Sequence, residues 1–237
     1  MRVLFTILTT LIIFTAYAQD ISEQLKFDIK FGMIKGGEVY FQTSDTLYSN
    51  IQAKNARLYG FTTGFAHMLY KVNDSFESII DKSNHNPIKS FKNVSEQNYR
   101  FNNEVHYYHH LDSAWSKETG WHRIEPGVAD VSALFYKLRF SGILDSISQG
   151  DTISLPFWDT GEWYFVEMIH NGLETIKTKY GKRECIVLKP LNIEGKFFSK
   201  KDPMEVWLTN DSQRLPMLMK LNFNIGSVKC ILVDSKV

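Results

Sequence analysis

Hydrophobic and polar residues alternate with a period of two along most of this chain. In "LKFDIKFGMIKGGEVYFQTSD" (Leu25 to Asp45), Phe27, Ile29 and Phe31 share one face, and Val39 and Phe41 resume the alternation beyond Gly36-Gly37. That is the pattern of a β-hairpin whose turn the two glycines supply. Similar runs recur as far as Ser227 to Val233, separated by turn-forming groups such as Asn73-Asp74, Asn102-Asn103, Asn171-Gly172 and Gly181-Lys182. About a dozen strands joined by short turns, without helices between them, predict an antiparallel meander. Such a sheet buries one face and limits its edges by curling into a barrel or half-barrel, or by folding into a β-sandwich. The amphipathic character of the long strands favours the curled form, with the sandwich as the alternative.

Two stretches break the alternation. In "GFTTGFAHMLY" (Gly60 to Tyr70), Phe65, Met68 and Leu69 have the spacing of a helical turn. In "EPGVADVSALFYKLRFSG" (Glu125 to Gly142), Val131, Leu134, Phe135 and Leu138 recur at i, i+3, i+4 and i+7, which predicts one amphipathic helix over about 130–141. Asp130 is placed to cap its N-terminus, and Gly142 to take the left-handed position that ends it. So short a helix is not stable alone. Its stripe must pack on the concave face of the sheet, where it either completes the core as a plug or leaves a cavity as a lid.

Composition adds a location. Residues 1–18, MRVLFTILTTLIIFTAYA, have basic Arg2, an apolar run and a small-x-small ending at Ala16-Tyr17-Ala18, the pattern of a secretory signal peptide. The run is too short and too broken by threonine for a transmembrane anchor. A soluble, exported chain starting near Gln19 is expected, in the periplasm or outside the cell, as one β-rich domain over 19–237 and as a monomer. Removing residues 1–18 takes away Arg2 and no acid, leaving 26 basic and 26 acidic residues. That balance argues against nucleic acid, or an anionic membrane surface, as partner. The partner expected is an unknown protein or a hydrophobic small molecule.

Candidate chemistry is sparse. Export makes a disulfide between Cys185 and Cys230 an option, with two separate buried thiols as the other. "EVHYYHHLD" (Glu104 to Asp112) is dense in ligand-type residues. On a strand, however, His106 and His110 lie roughly 13 Å apart, too far to bind one ion together. His106 with His122 of a neighbouring strand is the better pairing, and a solvated aromatic strand face is the simpler account; no metal or cofactor is expected. Ser132 has no histidine nearby in sequence, and the Asp159 and Glu162 pair in "WDTGEW" reads as a hairpin turn. The flanking Trp158 and Trp163 suit a sugar-stacking or lipid-contacting rim. In "VWLTNDSQRLPM" (Val206 to Met217), Asn210-Asp211-Ser212 is a turn whose Asp211 accepts from backbone amides ahead, Arg214 is expected to reach back to Asp211, and Pro216 sits where the strand needs no ladder donor.

Three of these segments together resemble the bacterial domain-of-unknown-function 3108 family. They are the hairpin Phe27 to Phe41, then "DVSALFYKLR" with Asp130 and Arg139, then the late segment with Trp207, Asp211, Arg214 and Pro216. The resemblance implies an exported, mostly β protein of a Gram-negative envelope, and it implies no catalytic residues. Three readings of function stay open: a non-enzymatic structural or interaction module of the envelope, a carrier of a lipid or other hydrophobic ligand, and a hydrolase whose site is assembled from distant residues.

Overall fold

The structure is a computed structural model, and it describes residues 21–191, 204–223 and 226–236. The segment read as a signal peptide lies outside the described residues. The first half of the chain forms β1 (Ile21–Phe31), β2 (Ile34–Tyr48), β3 (Ile51–Thr62), α1 (Gly64–Leu69), β4 (Asn73–Asp81), β5 (Pro87–Glu96), β6 (Tyr99–Tyr108), β7 (Ser113–Ser116) and β8 (Gly120–Arg123). Helix α2 (Val131–Phe140) follows, and then β9 (Thr152–Asp159), β10 (Glu162–Thr178), β11 (Gly181–Pro190), β12 (Met204–Thr209), β13 (Pro216–Phe223) and β14 (Gly226–Lys236). Among the described residues no helix is long and apolar enough to cross a membrane.

These strands make one 14-stranded antiparallel sheet in the order β8-β7-β6-β5-β4-β3-β2-β1-β14-β13-β12-β11-β10-β9. The two meanders meet at the centre, where β1 pairs with β14, and the outer strands are β8 and β9. The curled form is therefore the one adopted, as a half-barrel rather than a sandwich. No ladder joins β8 to β9, but side chains bridge the seam. Lys92 Nζ of β5 donates to Asp159 Oδ1 at 2.6 Å, and the His122 ring meets Trp158 edge-on with centroids 5.3 Å apart. The chain just before α2 also covers the exposed edge of β9. Ala129 N donates to Pro156 O at 3.0 Å and Trp158 N to Ala129 O at 2.9 Å, a short parallel bridge that leaves less open edge for another chain to join.

The hairpin turn differs from the expected one. It falls at Gly32-Met33, where Gly32 takes a positive φ of 59°, and Gly36-Gly37 lie inside β2. The second of that pair is needed for backbone proximity: a Cβ on Gly37 would stand 2.8 Å from Phe61 O of β3. A glycine pair is a signal common to turns and to close strand approach, and here it serves the latter.

Inside the curl, Leu25, Phe27, Phe41, Ala56, Ile80, Val187, Trp207 and Leu232 form one cluster with Ala133 and Tyr136 of α2. Leu138 joins a second cluster beneath β9–β12 with Leu144, Ile153, Leu188 and Leu208. The helix thus has sheet on more than one side of it. Of the expected stripe, Leu138 is buried, Leu134 and Phe135 are half-buried against the core, and Val131 is half-buried. The residues most deeply buried in α2 include Ser132, Ala133, Tyr136 and Arg139, which a one-sided helix would turn to solvent.

Arg139 is the anchor of this arrangement. Its side chain is 1% exposed, and its fork donates to both carboxylate oxygens of Glu23 on β1, Nη1 to Oε2 at 2.8 Å and Nη2 to Oε1 at 2.7 Å. The same group donates to the carbonyls of Arg214 (3.1 Å) and Gln213 (3.0 Å) in the β12–β13 turn. Its guanidinium lies over the Phe140 ring at 4.6 Å. One side chain therefore ties the helix, the first strand and a turn of the second meander.

Removing one partner of a buried ion pair leaves the other charge uncompensated, so Arg139→Met should cost about 3–5 kcal/mol in urea unfolding. Adding Glu23→Leu should recover part of that loss, since no lone charge then remains. A double variant less stable than the single one would contradict this account.

Candidate functional site

The helix start is built from local chemistry. Asp130, with extended backbone, turns its Oδ1 to the first-turn amides of Ser132 (2.9 Å) and Ala133 (3.1 Å), as the sequence predicts for a cap. Ser78 Oγ of β4 donates to the same oxygen in a short hydrogen bond, and Ser132 Oγ donates to Phe76 O at 3.0 Å. The cap is thus also a tie to the sheet. Burial pushes the Asp130 carboxyl up from its ordinary range, while the donors from Ser78 and the two amides oppose that rise.

A cleft of about 300 Å³ opens beside this cap, between β4–β6 and the β9–β10 hairpin. Phe76, Phe91, Val131 and Phe157 give it apolar walls, Ser90, Asn103 and Asp130 supply polar groups, and Lys92 and Asp159 stand with their ion pair among its lining residues. Ser90 Oγ is 3.1 Å from the hydroxyl of Tyr107, whose pKa burial drives well above the usual value. Asp130 Oδ2 and Trp158 Nε1 are both buried without a hydrogen-bond partner. Among the described residues no histidine or cysteine lines the cleft.

Other expected sites fall elsewhere. Trp158 and Trp163 face each other across β9 and β10, but Trp158 is buried in a cluster with Val105, Tyr107 and Ile124, so the pair is a seam filler and not a rim. His106 Nε2 lies 2.7 Å from Glu104 Oε1, an oxygen that also pairs with Lys89, and His122 Nε2 lies 2.8 Å from Thr119 Oγ1. Among the described residues no three His, Cys, Asp or Glu side chains converge. Cys185 on β11 and Cys230 on β14 are free thiols. Two strands separate theirs, which puts them on the order of 14 Å apart and out of reach of a disulfide. Burial raises the two thiols to about 11 and about 12, so both stay protonated at neutral pH.

The late segment is an interlock. Asp211 Oδ1 accepts from Thr209 Oγ1 (2.7 Å), Gln213 N (3.1 Å) and Arg214 N (3.2 Å), the turn role expected of it. The guanidinium of Arg214 does not reach back to Asp211. It donates to Asp145 Oδ1 at 2.6 Å, in the turn that follows α2, and to Asn210 Oδ1 at 3.1 Å, because Asp211 is already occupied by the turn. Trp207 is buried and donates from Nε1 to Glu174 Oε2 at 2.8 Å. Pro216 begins β13 opposite Leu208, at a register shift where its missing N–H costs no ladder bond. Asp130, Arg139, Asp211 and Arg214 thus belong to one structural lock around α2, whose remaining partners, Glu23, Ser78 and Asp145, carried no signal in sequence.

A family model described as "Protein of unknown function (DUF3108)" matches residues 26–233. The chain belongs to this family. For DUF3108 the lock around α2 gives the Asp130, Arg139 and Arg214 positions a fold-holding role in this member. No curated protein matches the chain. Among solved structures, it is similar to a crystal structure of a beta-barrel-like protein of domain of unknown function DUF1849 from Brucella abortus. The two are 6% identical with a TM-score of 0.55, over 91% of this chain and 97% of that one. At that identity what they share is the fold.

Lys137, buried on α2, donates only to neutral oxygens, Asn86 Oδ1 and Gly127 O, both at 2.7 Å. Burial lowers its pKa to about 8 from 10.5. The unfolded chain then binds more protons than the folded one between those values, so this residue's contribution raises stability as pH climbs from about 8 toward 10.5. Relative to Lys137→Met, the wild type should gain roughly 2 kcal/mol between pH 7 and pH 10 in urea unfolding. Parallel pH profiles for the two proteins would refute it.

Proposed function

We propose that the protein is a non-enzymatic module exported to the cell envelope, with its curled sheet kept full by its own helix and its outer surfaces left to make contacts. The burial of α2 carries this reading. A lid must leave its seat cheaply, whereas α2 shares two hydrophobic clusters with the sheet and is tied by Arg139 to Glu23. Separating such a pair costs several kcal/mol. Both carboxyls beside the cleft are engaged, Asp130 through an oxygen committed to the helix cap and to Ser78, and Asp159 through its ion pair with Lys92. Export is supported by the pattern of residues 1–18.

A second reading, a carrier of a small hydrophobic ligand, is favoured by the apolar walls of the cleft. Its volume of about 300 Å³ lies at the lower end of small-molecule sites, which run to about 1,000 Å³. Native mass spectrometry of the protein purified without detergent separates the two. The module reading expects the bare polypeptide mass and an unchanged melting temperature on adding monomeric palmitate. A copurifying ligand in stoichiometric amount would establish the carrier instead.

A further inference from the structure

The large apolar side chains left exposed are not scattered evenly over the half-barrel. The two most exposed, Met33 and Met68, and three others above 60% sit among the described residues at the end that carries the β1–β2, β3–β4 and β5–β6 connections. Met33 is 97% exposed and Ile34 67% at the tip of the β1–β2 hairpin. Helix α1, in the β3–β4 connection, buries no residue at all and leaves Phe65 at 66%, Met68 at 79% and Leu69 at 64%. The two features form one patch: α1 follows Thr63, whose N–H donates to Gly36 O of β2 at 2.9 Å, and Ala66 Cβ lies 3.4 Å from where a Gly36 Cβ would be. Burying large side chains on a protein partner needs a matching groove, but these stand on a hairpin tip and a one-turn-and-a-half helix that project from the barrel end. A projecting apolar tip suits a soft apolar medium better than a second rigid surface.

Just behind the tip, the register sets Lys30 of β1 opposite Lys229 of β14, and Lys229 opposite Lys220 of β13. Like charges directly across a ladder are unfavourable, so this row gains nothing for the sheet. The acids closest to it are loosely held, with Lys30 Nζ 3.9 Å from Asp28 and Lys220 Nζ 3.6 Å from Glu205. Lys35, opposite Lys30, is more tightly matched, 2.6 Å from both Asp28 and Glu38. Lys30 lies three residues from Met33, within about 10 Å along a strand. That is about the depth to which interfacial segments sink their apolar faces, with cations left at the level of the headgroups.

We infer that this end of the barrel docks onto an anionic bilayer surface, with Met33, Ile34, Phe65, Met68 and Leu69 entering the interface and Lys30, Lys229 and Lys220 facing lipid phosphates. This deepens the module reading by naming its partner. It departs from the expectation drawn from overall charge neutrality, because a balanced total does not prevent a local row of one sign. The binding is peripheral and leaves the lipid in the membrane.

Co-sedimentation of the signal-free protein with vesicles of equimolar phosphatidylethanolamine and phosphatidylglycerol tests it. The wild type should pellet with these vesicles, and at least about tenfold less with phosphatidylcholine alone, with the difference shrinking in high salt. Met33→Asp with Met68→Asp should weaken binding about tenfold or more at an unchanged melting temperature, since neither side chain supports the core. Lys30→Gln with Lys229→Gln should weaken binding to the anionic vesicles only. Leu111→Asp, an exposed leucine in the β6–β7 connection at the other end, should leave binding unchanged. A wild type that stays in the supernatant, or binding indifferent to the Met33/Met68 change, overturns the inference while leaving the module reading standing. So does a dimer in sedimentation velocity that the Met33/Met68 change dissolves, because the patch then belongs to a second copy. A stoichiometric ligand in native mass spectrometry would instead count against the module reading alone.

Discussion

The structure depends on a charge buried where the sheet has no water to offer. Arg139 and Glu23 are both taken out of solvent, and a bare charge there would not be tolerated. Four N–H···O bonds from one guanidinium, two to Glu23 and two to turn carbonyls, are what make the site habitable. Because those acceptors come from β1 and from the β12–β13 turn, the pair is formed only when both meanders are in place around the helix. Apolar packing is non-directional and does not by itself single out one position of α2 against the sheet. The fork of Arg139 accepts one, which is how a buried ion pair contributes specificity even where its net contribution to stability is small.

The same logic runs through the polar residues at the other end of α2. Asp130 satisfies two helix amides and accepts from Ser78, so the first turn is fixed to β4 as the last turn is fixed to β1. Arg214 extends the lock to Asp145, just beyond the helix. Between these ties the helix buries small residues, Ser132 and Ala133, and large ones, Tyr136 and Leu138. Residues of α2 take part in both large clusters inside the curl, and a cleft of about 300 Å³ remains beside the helix cap at the seam.

Much of this architecture was legible because it is written locally. Alternation gave the strands, and the Asp130 cap and Gly142 stop gave the helix within a residue of its bounds, since capping acts over a few residues of chain. What the sequence concealed is what acts across it. Glu23 stands 116 residues from Arg139, and nothing in its surroundings distinguishes it from the acids of the outer face. Gly36-Gly37 reads as a turn in sequence because close strand approach and tight turns both ask for glycine. The stripe of Val131, Leu134, Phe135 and Leu138 points to one packed face, because periodicity describes a helix with one wall, whereas this one also buries Ser132, Tyr136 and Arg139. Net charge concealed the lysine row for a related reason: a sum carries no positions.

The pairing of β1 with β14 ties the first strand of the described structure to the last. Until the C-terminal strand is present, the centre of the sheet is two unsatisfied edges, and the core around Leu25, Phe27 and Leu232 cannot form. Contacts of such long sequence separation come late and slowly in folding. A chain emerging N-terminus first would therefore remain incomplete through nearly its whole length.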